Sequence, residues 1–126
     1  MKIISANVGF VTNSSSVVYH FPREILEDES IKAFIKAFEI EEGYVGDNLW
    51  SRDTCQSFAI TKDQKEAIAN DLNDFEYGNI PNINTKDESI VLVYGDEYHE
   101  ITSILIRMMI DVANTLGVKF LEEDYN

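Results

Sequence analysis

The chain has 126 residues, the length of one ordinary domain, and its 23 Asp and Glu against 10 Lys and Arg give a formal net charge of −13. That balance argues against direct DNA or RNA binding, because phosphate contacts need Lys and Arg. It argues against an anionic membrane surface for the same reason, and favours basic or nucleic-acid-binding proteins as partners.

Hydrophobic residues make up 44%, with one Trp, six Tyr and seven Phe, which describes a folded chain rather than a disordered one. A single domain over residues 1–126 is expected. Cys55 is the only cysteine, so no internal disulfide forms and thiolate-rich zinc sites are excluded. The N-terminal segment carries one Lys and no apolar run of signal-peptide length, and no stretch has the apolar length of a membrane span. A cytoplasmic location is the expectation.

In chain order, Ile4, Ala6, Val8 and Phe10 alternate with Ser5, Asn7 and Gly9, the period of a strand over residues 2–11. A polar knot follows, Thr12, Asn13, Ser14, Ser15 and Ser16. Val17 to Phe21 then give a second strand, stopped by Pro22. Asn and Ser side chains satisfy turn backbone groups, so Asn13 to Ser16 read most simply as the turn of a hairpin. Residues 23–40 read as a helix, with Ile31, Phe34, Ile35 and Phe38 on one stripe, Asp28 four before Lys32, and Gly43 as the terminator.

Residues 43–56 are irregular and hold Trp50. A short strand at 57–60 precedes Thr61-Lys62-Asp63-Gln64, a capping box for a helix to about Phe75 whose inward face is Ile68, Leu72 and Phe75. Residues 78–88 are a polar loop. Ile90 to Tyr94 form a continuous apolar run of the kind covered on both faces. A helix runs from Asp96 to Leu116, Gly117 stops it, and Val118 to Leu121 make the last strand. Strands and helices in this order imply an α/β (α+β) fold, a mixed four- to five-stranded sheet with three helices.

The third helix is apolar over most of its circumference. Ser103, Arg107, Asp111 and Asn114 leave a polar strip only about 80° wide at 3.6 residues per turn. A helix with one covered face needs less. Either neighbouring helices cover the rest, or the second reading holds: a structural or self-assembling protein with the third helix as oligomer interface, through Ile106 and Ile110.

Few residues suggest chemistry. His20 lies on a strand. His99 sits between Asp96 and Glu100 without the further ligands of a metal site, so no metal and no cofactor is expected. The serines lack the glycines of a nucleophile elbow and the Gly-Lys-Ser/Thr of a phosphate loop, so no catalytic residue is assigned. The third and weakest reading is a small enzyme or ligand sensor using Thr12 to Ser16 with His20 or His99.

The acidic residues form a surface instead. Asp63, Glu66, Asp71 and Asp74 cluster on the second helix opposite its apolar face, as neighbours three or four apart do. Spaced carboxylates imitate a phosphate backbone, and Asp63, Glu66, Asp71 and Asp74 are the expected partner-binding face.

The opening "MKI…GFVTNSSSVVYHF" resembles a recurrent start in small phage and prophage proteins, which carry Gly-Phe-Val, Thr or Ser, Asn and a serine run before a hydrophobic tail. The match covers Gly9 to Phe21. It departs from the pattern in stopping at three serines and in having Lys2 as the only basic residue of its lead. The resemblance implies a phage origin and supplies no activity. With the acidity and the lack of enzyme motifs, it suggests a non-enzymatic inhibitor or modulator of a host protein.

Overall fold

The computed structural model describes residues 2–4, 16–43, 57–74, 83–95 and 100–125. The strands are β1 (Lys2–Ile4), β2 (Ser16–Pro22), β3 (Glu41–Glu42), β4 (Ser57–Phe58), β5 (Ile90–Gly95) and β6 (Phe120–Tyr125). The helices are α1 (Glu29–Ala37), α2 (Lys62–Asp74) and α3 (Glu100–Leu116). The class is α+β with three helices, as expected.

The main sheet has four strands in the order β1-β6-β2-β5, and every pairing in it is antiparallel. Among the described residues, parallel pairing occurs only between the short β3 and β4. Ala59, just after β4, exchanges both backbone hydrogen bonds with Leu92 of β5, at 2.9 Å each. The small parallel pair therefore extends the antiparallel sheet at its β5 side. β1 and β2 do not form the expected hairpin: β6 lies between them, so they run parallel. Ser16 is the first residue of β2, paired with Tyr125, rather than part of a turn. Asn13, Ser14 and Ser15 lie outside the described residues.

Alternation sorts β2 and β5 onto two faces. Val17, Tyr19 and Phe21 with Val91 and Val93 join Ile25, Ile31 and the α3 residues Leu105, Ile106, Met109, Ile110 and Ala113 in one core. Phe21 stacks between Tyr19 and Phe120, with ring centroids 5.7 and 5.1 Å away. The opposite face carries Val18, His20, Leu92 and Tyr94, all buried as well. β5 is thus covered on both sides, which is why its sequence is continuously apolar.

The first helix differs from its expectation. Asp28 adopts an extended conformation, and its carboxylate accepts from the Ile31 N–H at 3.1 Å and from the Ser30 hydroxyl. That is an N-cap, so α1 starts at Glu29 and residues 23–27 form a separate 3-10 turn. Lys32 pairs with Glu27, at 3.4 Å, rather than with Asp28.

Both α1 and α3 end in the same way. Ile40 N–H bonds to Ile35 O and Glu39 N–H to Lys36 O; Val118 N–H bonds to Ala113 O and Gly117 N–H to Asn114 O. The left-handed residue is Gly117 in one case and Glu39, φ 52°, in the other. Gly43 is therefore not the terminator of α1. Its φ of 100° follows β3, where an added Cβ would come 3.2 Å from the Gln64 amide nitrogen.

Among the described residues no helix is long and apolar enough to cross a membrane.

Candidate acidic docking site

The capping box forms as read. The Thr61 hydroxyl accepts from Gln64 N–H at 3.3 Å, and Gln64 Oε1 accepts from the N–H groups of Thr61, at 3.0 Å, and Ile60, at 2.9 Å. It orients the first turns of α2, where Asp63 is exposed and Glu66 is half-buried in a 4.0 Å pair with Lys62. Asp71 and Asp74 lie on the same helix, and their side chains are outside the described ones.

From there the structure joins acidic residues that are far apart in sequence. Gln64 Nε2 donates to Glu42 Oε2 at 3.4 Å, which places the end of β3 beside the start of α2. Glu42 and Glu27 line one groove, of about 300 Å³. Glu27 also lines an adjoining open cleft of about 670 Å³, together with Glu24 and Glu88. Glu42, Glu27, Glu24 and Glu88 thus line two adjoining concavities, and Gln64 ties Glu42 to the first turns of α2, which carry Asp63 and Glu66. Arg23 lines both concavities, Lys32 and Lys36 line the smaller one, and Lys32 and Lys62 pair with Glu27 and Glu66.

Glu88 reaches the cleft on a loop that its own side chains stiffen. Asn84 Oδ1 accepts from the N–H groups of Lys86, at 3.2 Å, and Asp87, at 3.0 Å. Asp87 Oδ1 accepts from Ser89 N–H at 2.9 Å and from its hydroxyl at 2.6 Å. These bonds, more than the nearby Lys65 charge, hold the Asp87 carboxyl below its usual range. Arg23 N–H ties the loop to the end of β2 by donating to Ser89 O at 2.8 Å.

Two residues beneath this surface carry polar atoms into the interior. His20 is 4% exposed on β2, between Leu92 and Leu121. Its Nε2 accepts from Asn84 N–H at 3.4 Å, so the neutral ring carries its proton on Nδ1, which is buried without a partner among the described residues. Burial, and secondarily the charge of Lys65, lower its pKa to about 4.

Lys65 is fully buried and donates to the Asp87 carbonyl. Burial lowers its pKa against the opposing pull of Asp87 and Glu88. Sequence reasoning passed over Lys65. Its signal was position: it stands three before Ile68 and seven before Leu72, on the inward stripe of α2.

His20, to which the third reading gave a catalytic or sensing role, is enclosed on β2. Thr12 and His99 lie outside the described residues. Ile106 and Ile110 need correcting: both are fully buried in the core of the single chain, where an oligomer contact cannot reach them. Contacts from α1, β2 and β5 cover the arc of α3 that looked surplus. Ser103 is buried as well, while Ile104 and Leu116 are exposed. Among the described residues no group of three His, Cys, Asp or Glu is arranged to hold a metal ion.

No family model matches the chain, and no curated protein or solved structure matches it.

Proposed function

We propose that this protein is a small binding module that docks a basic surface of another protein and modulates it by occupying that surface. The observation that supports this reading is the convergence of Glu42, Glu27, Glu24 and Glu88 on two adjoining concavities, with Gln64 tying Glu42 to the α2 turns that carry Asp63 and Glu66, so that four separate segments contribute carboxylates. Aligned charge of one sign steers encounter with a basic partner and selects against acidic ones. A surface that would otherwise meet nucleic-acid phosphates is a natural target, and inhibition by charge mimicry follows from occupying it. The resemblance of Gly9 to Phe21 to phage proteins makes the target a protein of the host bacterium. On this reading the chain performs no reaction.

The test is binding of a polybasic peptide by titration calorimetry at several salt concentrations. Affinity weakens steeply as the Debye length shrinks from about 30 Å at 0.01 M to about 3 Å at 1 M. Affinity that does not change with salt contradicts the proposal.

A further inference from the structure

A carboxylate band attracts any cation, so it supplies rate and sign but little selectivity. The groove that Glu27 and Glu42 line adds other chemistry. Its floor and wall are Leu26, Ile35, Phe58 and Ile60, and its rim carries Arg23, Lys32 and Lys36 together with Glu27 and Glu42. Both lysines are exposed at the surface of α1. Lys32 already faces Glu27, at 3.4 Å, while Lys36 has no ion pair among the described residues. The volume, about 300 Å³, is at the small end of ligand sites, which run from about 300 to 1,000 Å³. Arg23 and Glu27 line both this groove and the acidic cleft, so the two concavities share a wall.

We propose that the two together bind one extended peptide segment of the partner, reading a cation, then an apolar side chain, then a carboxylate. The cation enters the cleft of Glu24, Glu27 and Glu88. The apolar side chain covers the floor of Leu26, Ile35, Phe58 and Ile60, and the carboxylate meets Lys36 and Lys32. Alternate residues of an extended chain face one side and advance about 3.3 Å per residue, so such a pattern fits within a few residues. Charge complementarity commits the groove to this occupant: its rim mixes Arg23, Lys32 and Lys36 with Glu27 and Glu42, Lys32 is taken up by Glu27, and Lys36 is left to receive a carboxylate beside an apolar floor. The inference rests on the proposed protein-binding role and names the partner's chemistry.

The test uses the full chain and three synthetic peptides. The first holds Arg, Leu and Asp at alternate positions, the second replaces Leu by Ser, and the third replaces Asp by Lys. The first binds tightest, although the third is more basic. Loss of Leu weakens binding about tenfold or more, the burial of one such side chain being worth about 1.5–3 kcal/mol. The double variant K32E/K36E, at exposed positions, reverses the preference between the first and third peptides, and I35S weakens only the peptides that carry Leu.

If the peptides rank by net charge alone, the inference fails while the docking role stands. If none binds, the polybasic third included, both fail. Sedimentation velocity showing a dimer that K36E dissolves assigns the groove to a second copy and overturns the inference. So does octanoate binding there while the first peptide stays silent.

Discussion

Acidification provides a quantitative test of the interior. His20 titrates at about 4 in the fold against 6.5 when unperturbed. Between these values the unfolded chain binds a proton that the folded chain refuses, so stability falls as pH falls. The sign follows from the lowered pKa: no penalty above 6.5, a growing one down to 4, and a constant one below. At about 1.4 kcal/mol per pH unit the full difference is roughly 3 kcal/mol, of which about 2 kcal/mol develops between pH 7 and pH 5. The cause is burial of the ring first and the nearby charge of Lys65 second.

Asp28 and Asp87 do not confuse this window. Their carboxyls lie below the usual 3.8, so the stability they contribute is lost only at lower pH. The assay is urea unfolding of wild type and H20Q at both pH values. The wild type loses about 2 kcal/mol more than the variant on going from pH 7 to pH 5. Parallel losses, or an imidazole that titrates near 6.5 by NMR in the folded chain, refute the reasoning.

Three further outcomes follow from single contacts. Lys65→Met removes a buried ammonium and leaves the Asp87 carbonyl still bonded to Ile90 N–H. Its stability by urea unfolding is neutral or higher by about 1–4 kcal/mol, and the His20 pKa rises; a loss above about 1 kcal/mol contradicts this. Gln64→Ala frees the N–H groups of Ile60 and Thr61 and costs about 1–2 kcal/mol, with the circular dichroism of α2 reduced. Ile110→Ala costs about 2–5 kcal/mol in thermal or urea unfolding, while Ile104→Ser on the exposed face changes stability by under about 0.5 kcal/mol.

Local signals carried much of the fold. The period of two in Val17 to Phe21, the Thr61–Gln64 capping box, the unbroken apolar run at β5 and the Gly117 stop each report interactions within a few residues, and each element appears in the structure. What the local pattern missed was decided by competition or by distance. Asp28 has two uses, as a surface partner of Lys32 or as a helix cap; the cap won because a buried-end N–H has more to lose than an exposed ion pair has to gain. Glu39 took the left-handed position that glycine usually fills because the chain turns four residues before Gly43. β6 inserted between β1 and β2, a pairing more than a hundred residues apart in sequence that periodicity cannot register.

The candidate site divides in the same way. The acidity of α2 was legible from spacing at Asp63 and Glu66. The convergence of Glu24, Glu27 and Glu88 depends on Arg23 joining the β2 end to Ser89, which only the tertiary structure brings about. The reading of Ile106 and Ile110 as an interface failed because a helical wheel counts apolar arc without knowing how many neighbours cover it.

Whether the negative charge acts as a placed band or as a diffuse cloud is decided by comparing two triple variants of equal charge. E24Q/E27Q/E88Q empties the cleft, and E39Q/E100Q/D111N removes three exposed carboxylates elsewhere. Affinity for one polybasic peptide at low salt is the measurement. At about 0.2–1 kcal/mol for each exposed pair, the first triple weakens binding roughly 3- to 150-fold and the second leaves it nearly unchanged. Equal losses in the two would mean that only net charge matters, and would contradict the account.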